Sequence, residues 1–109
     1  MGFDDDLALR VRDRLNGRQG VTDRKMFGGI AFLINGNMAC GVLNDDLIVR
    51  LEHEEAERAL NEPHTRAFDV NGRPMRGFLF VAPDGIEADD QLTRWVDAGA
   101  NHASSLEPK

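Results

Sequence analysis

The chain has 109 residues and a mass of 12.1 kDa, with 41% hydrophobic and 29% charged residues and a formal net charge of −6. These values exclude a disordered or fibrous chain, and the length predicts a single domain spanning residues 1–109 around one core. The net acidity weighs against electrostatic capture of nucleic acid, which relies on a basic face and counterion release. Eleven arginines against two lysines still leave room for a local basic patch. The single cysteine, Cys40, cannot build a disulfide framework and points to a reducing compartment. The acidic start "MGFDDDLALR" lacks the order of a secretory signal, and no apolar run approaches the roughly 20 residues of a spanning helix. The expectation is a soluble, cytoplasmic protein.

Leu7, Val11 and Leu15 recur at helical spacing behind Asp4, Asp5 and Asp6, which suit the positive end of a helix; Gly17 stops it. This predicts a helix over about 4–16, followed by a polar loop, "GRQGVTD". From Arg24 the period changes. "RKMFGGIAFLI" reads as one strand bent at its glycines, ending at Asn35-Gly36, a strong hairpin signal because both residues tolerate positive φ. "MACGVL" is the returning strand, Asn44-Asp45-Asp46 a second turn, and "LIVRL" a third strand. Alternation puts Leu47, Val49 and Leu51 on one face of it and Ile48 and Arg50 on the other.

"HEEAERALNEP" predicts a short helix, closed by Pro63. "TRAFDV" and "RGFLFVA" flank a second Asn-Gly turn, with Pro74 placed in the connection or at a strand edge because it lacks an N–H. The last helix carries a stripe of Leu92, Val96, Gly99, Ala103 and Leu106, with Trp95 and His102 along its margin. The order is α-β-β-β-α-β-β-α. The economical architecture is α+β in two layers, an antiparallel five-stranded sheet with helices on one face and the other face open.

Arg24-Lys25-Met26-Phe27-Gly28-Gly29 sets a basic pair ahead of two glycines. A phosphate-binding P-loop runs from a strand into a helix, so that N–H groups converge at the helix N-terminus. Here the glycines run into "IAFLI", a strand, so a bulge or close backbone approach is the favoured reading. Arg24, Lys25, Arg50, Arg66, Arg73 and Arg76 fall in predicted strands or turns. Arg50 stands apart, alternating with apolar residues in a central strand, where a guanidinium must find a carboxylate or line a site. Pairing with an acid is the expectation. The candidate binding residues are Arg24, Lys25, Phe27, Gly28, Gly29, Arg50, Arg73 and Arg76.

Cys40, mid-strand, reads as an inert core thiol, and His102 as a packing or capping residue. "HEEAE" at His53 lacks the second imidazole of H-E-x-x-H, so no metal is expected. Phe27, Phe32, Phe78 and Phe80 occupy apolar strand positions and are core side chains before they are base-stacking groups. No catalytic set is legible, and no cofactor is implied.

"RKMFGGIAFLINGNMACGV", "LIVRL", "FDVNGRPMRGFLFV" and the closing "LTRWVDAGANHASSLEPK" together resemble the N-terminal domain of the TfoX/Sxy proteins, named for a bacterial regulator of competence for DNA uptake. The resemblance covers essentially the whole chain. Arg24 through Gly29 is its most specific piece, supported by Asn35-Gly36, Leu47 through Arg50, and Gly72 through Gly77. It implies a two-layer α-β(3)-α-β(2)-α fold akin to secretion-chaperone-like domains. Competence regulators of the family carry a second, helical domain that has no counterpart in this sequence, so the expectation is a stand-alone N-terminal-like domain. No catalytic residues transfer; Arg24, Met26, Phe27, Gly28 and Gly29 carry over as a motif without an assigned role. The functional expectation is a non-enzymatic regulatory or protein-interaction domain, working as a homodimer or with a regulatory protein partner. The alternative is nucleic-acid, nucleotide or anion binding through an arginine cluster around Arg24 and Arg50.

Overall fold

The computed structural model describes residues 2–26, 28–70 and 72–109, with Val70 described through its backbone. Helix α1 (Asp5–Leu15) begins where its cap dictates: the Asp4 carboxylate accepts hydrogen bonds from the N–H groups of Asp6 and Leu7 at 2.9 and 3.1 Å. Its buried stripe is Leu7, Ala8, Val11 and Leu15.

Four strands follow, one more than expected: β1 (Val21–Met26), β2 (Gly29–Ile34), β3 (Asn37–Leu43) and β4 (Asp46–Arg50). The run "RKMFGGIAFLI" is not one bent strand. Gly28 has φ +78° and turns the chain, so that Met26 pairs with Gly29 and β1 runs back along β2 to Val21 opposite Ile34. The segment expected as a polar loop is therefore partly strand. It carries no apolar alternation because β1 is an outer strand, and Thr22, Asp23, Arg24 and Lys25 are all exposed. The hairpin at Asn35-Gly36 forms as expected, with φ +53° and +85°, and Asn44 with φ +53° opens the next turn.

Helix α2 (His53–Ala59) leads to β5 (Thr65–Val70) and β6 (Arg73–Val81), then through a short 3₁₀ turn at Pro83–Gly85 to α3 (Asp89–Ser105). The strands form one antiparallel six-stranded sheet in the order β1-β2-β3-β4-β6-β5. Asn71, half of the second expected Asn-Gly turn, lies outside the described residues. Pro74 sits in the stretch of β6 that extends beyond its pairing with β4, where the missing N–H costs nothing on that side.

The core joins the three helices to one face of the sheet: Ile30, Phe32, Cys40, Val42, Leu47, Val49, Leu79 and Val81 contact the stripes of α1, α2 and α3. Trp95, expected at the margin of α3, is in this core at 4% exposure. A bulge in β3 fits helix to sheet. Cys40 opposes Phe32 and Met38 opposes Leu33, which leaves Ala39 as the extra residue, and its carbonyl turns toward Gly99 of α3. A Cβ on Gly99 would lie 2.3 Å from that oxygen, so only glycine lets α3 approach this closely.

Ala31, Ile48 and Phe80 are also buried yet stand outside the helix-side core, because they belong to the opposite face. Register places Arg24, Ala31, Gly41, Ile48, Phe80 and Arg66 in one row across the sheet on that face. Ile48 and Phe80 reach 7% exposure without a covering helix. Arg66 stacks over the Phe80 ring at 4.4 Å, and Phe68 packs on it at 4.9 Å. After α3 the chain is tied to the β2–β3 hairpin: the Asn37 side-chain amide donates to the Glu107 carbonyl at 2.9 Å, and the Lys109 N–H donates to the Asn35 carbonyl at 2.8 Å. Among the described residues, no helix is long and apolar enough to cross a membrane.

Candidate functional site

The residues singled out from the sequence fall in two places. Arg24 opposes Ala31 and Lys25 opposes Ile30, so Arg24 extends on the uncovered face and Lys25 on the helix side. Neighbours in sequence, they point to opposite faces of the sheet. Both are exposed, and neither meets a carboxylate at ion-pair distance among the described residues. Gly28 makes the turn, and Gly29 is buried where a Cβ would lie 2.5 Å from the Val42 carbonyl. The close backbone approach read from the sequence holds at Gly29, while the bulge is replaced by the turn. Phe27 lies outside the described residues.

Arg50 ends β4, three strand positions from β1, which at about 4.8 Å per strand is roughly 14 Å across the sheet. The expected cluster around Arg24 and Arg50 is thus not one cluster. Arg73 is exposed beside the β5–β6 turn, five positions along β6 from the Phe78 that opposes Arg50. Arg76 does come near Arg50, and the two line one open groove of about 420 Å³ where β4 gives way to α2.

The groove assembles residues from four elements. Leu51 donates its N–H to the Gly77 carbonyl at 2.7 Å, which ties the end of β4 to β6. The His53 ring packs against Gly77, whose φ of +87° leaves no room for a side chain: a Cβ would come within 3.0 Å of the imidazole. His102 and Leu106, from α3 and its C-terminal cap, close the other wall. A second depression of about 630 Å³ continues from Glu52 and His102 along α3 past Asp97. The chain separation between His53, Gly77 and His102 explains why the convergence is illegible in the sequence.

Arg50 was expected to pair with an acid. Its guanidinium instead lies 5.6 Å from the centre of the Phe78 ring, and no carboxylate reaches it at ion-pair distance among the described residues. The nearest acid in sequence is committed elsewhere. Glu52 Oε1 caps α2, accepting from the N–H groups of Glu54 and Glu55 at 3.0 and 3.3 Å. Glu57 reaches Arg76 at 3.4 Å. Burial and the positive charge of Arg50 hold the His102 imidazole below its ordinary pKa, against the opposing pull of Glu55 and Glu52.

Cys40 is fully buried on the helix side of β3, and desolvation pushes its thiol pKa up to about 12. The thiolate is the reactive form, so this sulfur is a packing group, as the sequence suggested.

Comparison with curated proteins and with solved structures gives no match. The family model described as the TfoX N-terminal domain matches residues 4–103, from the cap of α1 to the last core residue of α3. The match takes in the described strands and helices up to the last two residues of α3, and it includes the Arg24-to-Gly29 hairpin and the strand ending at Arg50. The chain therefore belongs to the TfoX N-terminal domain family.

Proposed function

We propose that this chain is a non-enzymatic regulatory domain of the competence-regulator type, acting in the cytoplasm through protein–protein contacts and pairing with a second copy through its uncovered sheet face. The observation that carries the proposal is the face itself. Leu33, Met38, Leu43 and Phe68 are half-buried on the side of the sheet that the helix-side core does not use. Apolar groups gathered on one uncovered face are the usual mark of a contact surface. Family membership supports the regulatory part of the reading. The burial of Cys40 weighs against an enzymatic reading centred on that thiol.

Nucleic-acid binding is less well supported. Arg24 and Arg50 stand on separate strands, Lys25 faces away from Arg24, and the net charge is −6. Gel filtration coupled to light scattering tests the proposal. A dimer mass is the expected result. A strict monomer at high micromolar concentration that also captures no protein in a pull-down overturns it.

A further inference from the structure

Three arginines are half-buried: Arg10, Arg18 and Arg50. Arg10 reaches Asp89 at 3.3 Å and Arg18 reaches Asp97 at 3.5 Å. Arg50 alone of the three has no carboxylate among the described residues, in a chain whose acids outnumber its bases by 19 to 13. A half-buried guanidinium without a counter-ion has given up part of its hydration, and the Phe78 ring replaces only some of it. Its surroundings hold the position open. Glu52 is turned into the cap of α2, Glu57 is drawn to Arg76, and the Phe78 ring centre lies 5.6 Å from the guanidinium carbon.

We infer that the groove at the end of β4 binds a carboxylate carried on an apolar body, with Arg50 as its charged partner and the half-buried Phe78 and Leu106 as its apolar contacts. The groove's volume of about 420 Å³ suits a small ligand or one terminal residue of a peptide. A guanidinium offers two parallel N–H donors, which fit the two oxygens of a carboxylate. A phosphate dianion fits less well. Glu52 lines the groove and Glu55 the adjoining depression, Arg76 already has Glu57, and burial and the Arg50 charge hold the His102 pKa below its ordinary value. Among the described residues lining the groove, Arg50 is the guanidinium without a carboxylate partner, which suits a single negative charge. Chain ends and small carboxylic acids share this chemistry.

Arg50 and Phe78 border both this groove and the uncovered face, but the two proposals fail separately. Ligand binding is read on whichever species light scattering finds, monomer or dimer. The experiment is a nuclear magnetic resonance titration of the labelled protein with N-acetyl-leucine, N-acetyl-leucinamide and inorganic phosphate. Saturable shifts at His102, Leu106 and the Arg50 side chain are expected with N-acetyl-leucine, and at least tenfold weaker binding with the amide. The ring pKa of His102 should rise at saturation, because the carboxylate offsets the Arg50 charge that faces it alongside Glu52, His53 and Glu55. Arg50→Gln should weaken binding at least tenfold, and Arg24→Gln should leave it unchanged. Arg50→Lys, which keeps the charge and loses the planar fork, gives the same reading if the glutamine variant does not fold: several-fold weaker binding is expected. A leucine-ended tetrapeptide that binds tighter than N-acetyl-leucine identifies a chain end as the ligand, and equal affinity identifies a small acid. The inference is overturned by an equal response to the amide, by tighter binding of phosphate, by unchanged affinity in the Arg50 variants, or by the absence of saturable shifts.

Discussion

Arg14 of α1 grips Asp97 of α3 with two parallel hydrogen bonds, Nε to Oδ1 at 3.2 Å and Nη2 to Oδ2 at 2.8 Å. Arg18 adds a longer contact to the same carboxylate at 3.5 Å, so one acid on the last helix anchors two bases at the end of the first. The hydrogen bond from Arg14 is the largest influence on Asp97 and holds its pKa below the ordinary value; partial burial opposes it, and the charges of Arg14 and Arg18 reinforce it. A carboxyl whose folded pKa is depressed contributes stability at pH values above its unfolded pKa and loses it as pH falls through the folded one. Asp97→Asn should therefore be less stable than the parent at pH 7. The difference should shrink as pH falls below about 3.9 and vanish beneath the folded pKa. The pair is largely solvent-exposed, so the effect is small and screened by salt. Urea melts at several pH values and two ionic strengths check this. A stability gap that persists undiminished in strong acid contradicts it.

Gly99→Ala should cost about 1–3 kcal/mol, because the new methyl meets the Ala39 carbonyl, a backbone atom that cannot swing away as a side chain would. The same substitution at an open helix position would stabilise, since alanine is the better helix former. The sign of the change in urea midpoint thus distinguishes a close helix-to-bulge contact from an ordinary helix glycine.

Cys40 should resist thiol reagents in the native protein and react only as fast as the molecule opens. Labelling with a coloured disulfide across a urea series should follow the unfolding transition. Rapid labelling without denaturant would show that β3 is accessible from the helix side.

Leu33→Lys probes the uncovered face without entering the helix-side core. Leu33 opposes Met38 across β2 and β3, and a lysine there would put a charge among the half-buried apolar groups of that face. Self-association should weaken at least tenfold while the circular dichroism spectrum stays that of the parent. An unaltered assembly mass would move the contact surface elsewhere.

Much of this architecture could be read in the residues because local chemistry dictates it. Asp4 caps a helix, Asn35-Gly36 turns a hairpin, and Leu47, Val49 and Leu51 alternate with Ile48 and Arg50 as the sheet requires. The first strand escaped notice for an equally physical reason: an outer strand with both faces in solvent has no apolar alternation to display. Trp95 looked marginal on a helical wheel, but the stripe of α3 is wide enough to bury it. The groove was legible in part. Arg50 stood out as a charge in a central strand, but the expected pairing with an acid does not occur among the described residues: neighbouring Glu52 caps α2, and nothing local foretells that His53, Gly77 and His102 meet beside it.

The row of side chains from Arg24 to Arg66 across the uncovered face bears on how the protein behaves in crowded solution. Its two ends lie on the outer strands, and both strands are poor templates for a further strand. Asp23, Arg24 and Lys25 charge one margin, and the register shift between Ala67 and Asp69 deforms the other. Lateral addition of strands, the route to fibres, is obstructed on both sides, while the broad face between them stays accessible. Copies that meet through that face about a twofold axis bury it and leave no further surface for a third. The charged margin and the misaligned residue thus act against open-ended growth of the sheet, whatever the broad face between them meets.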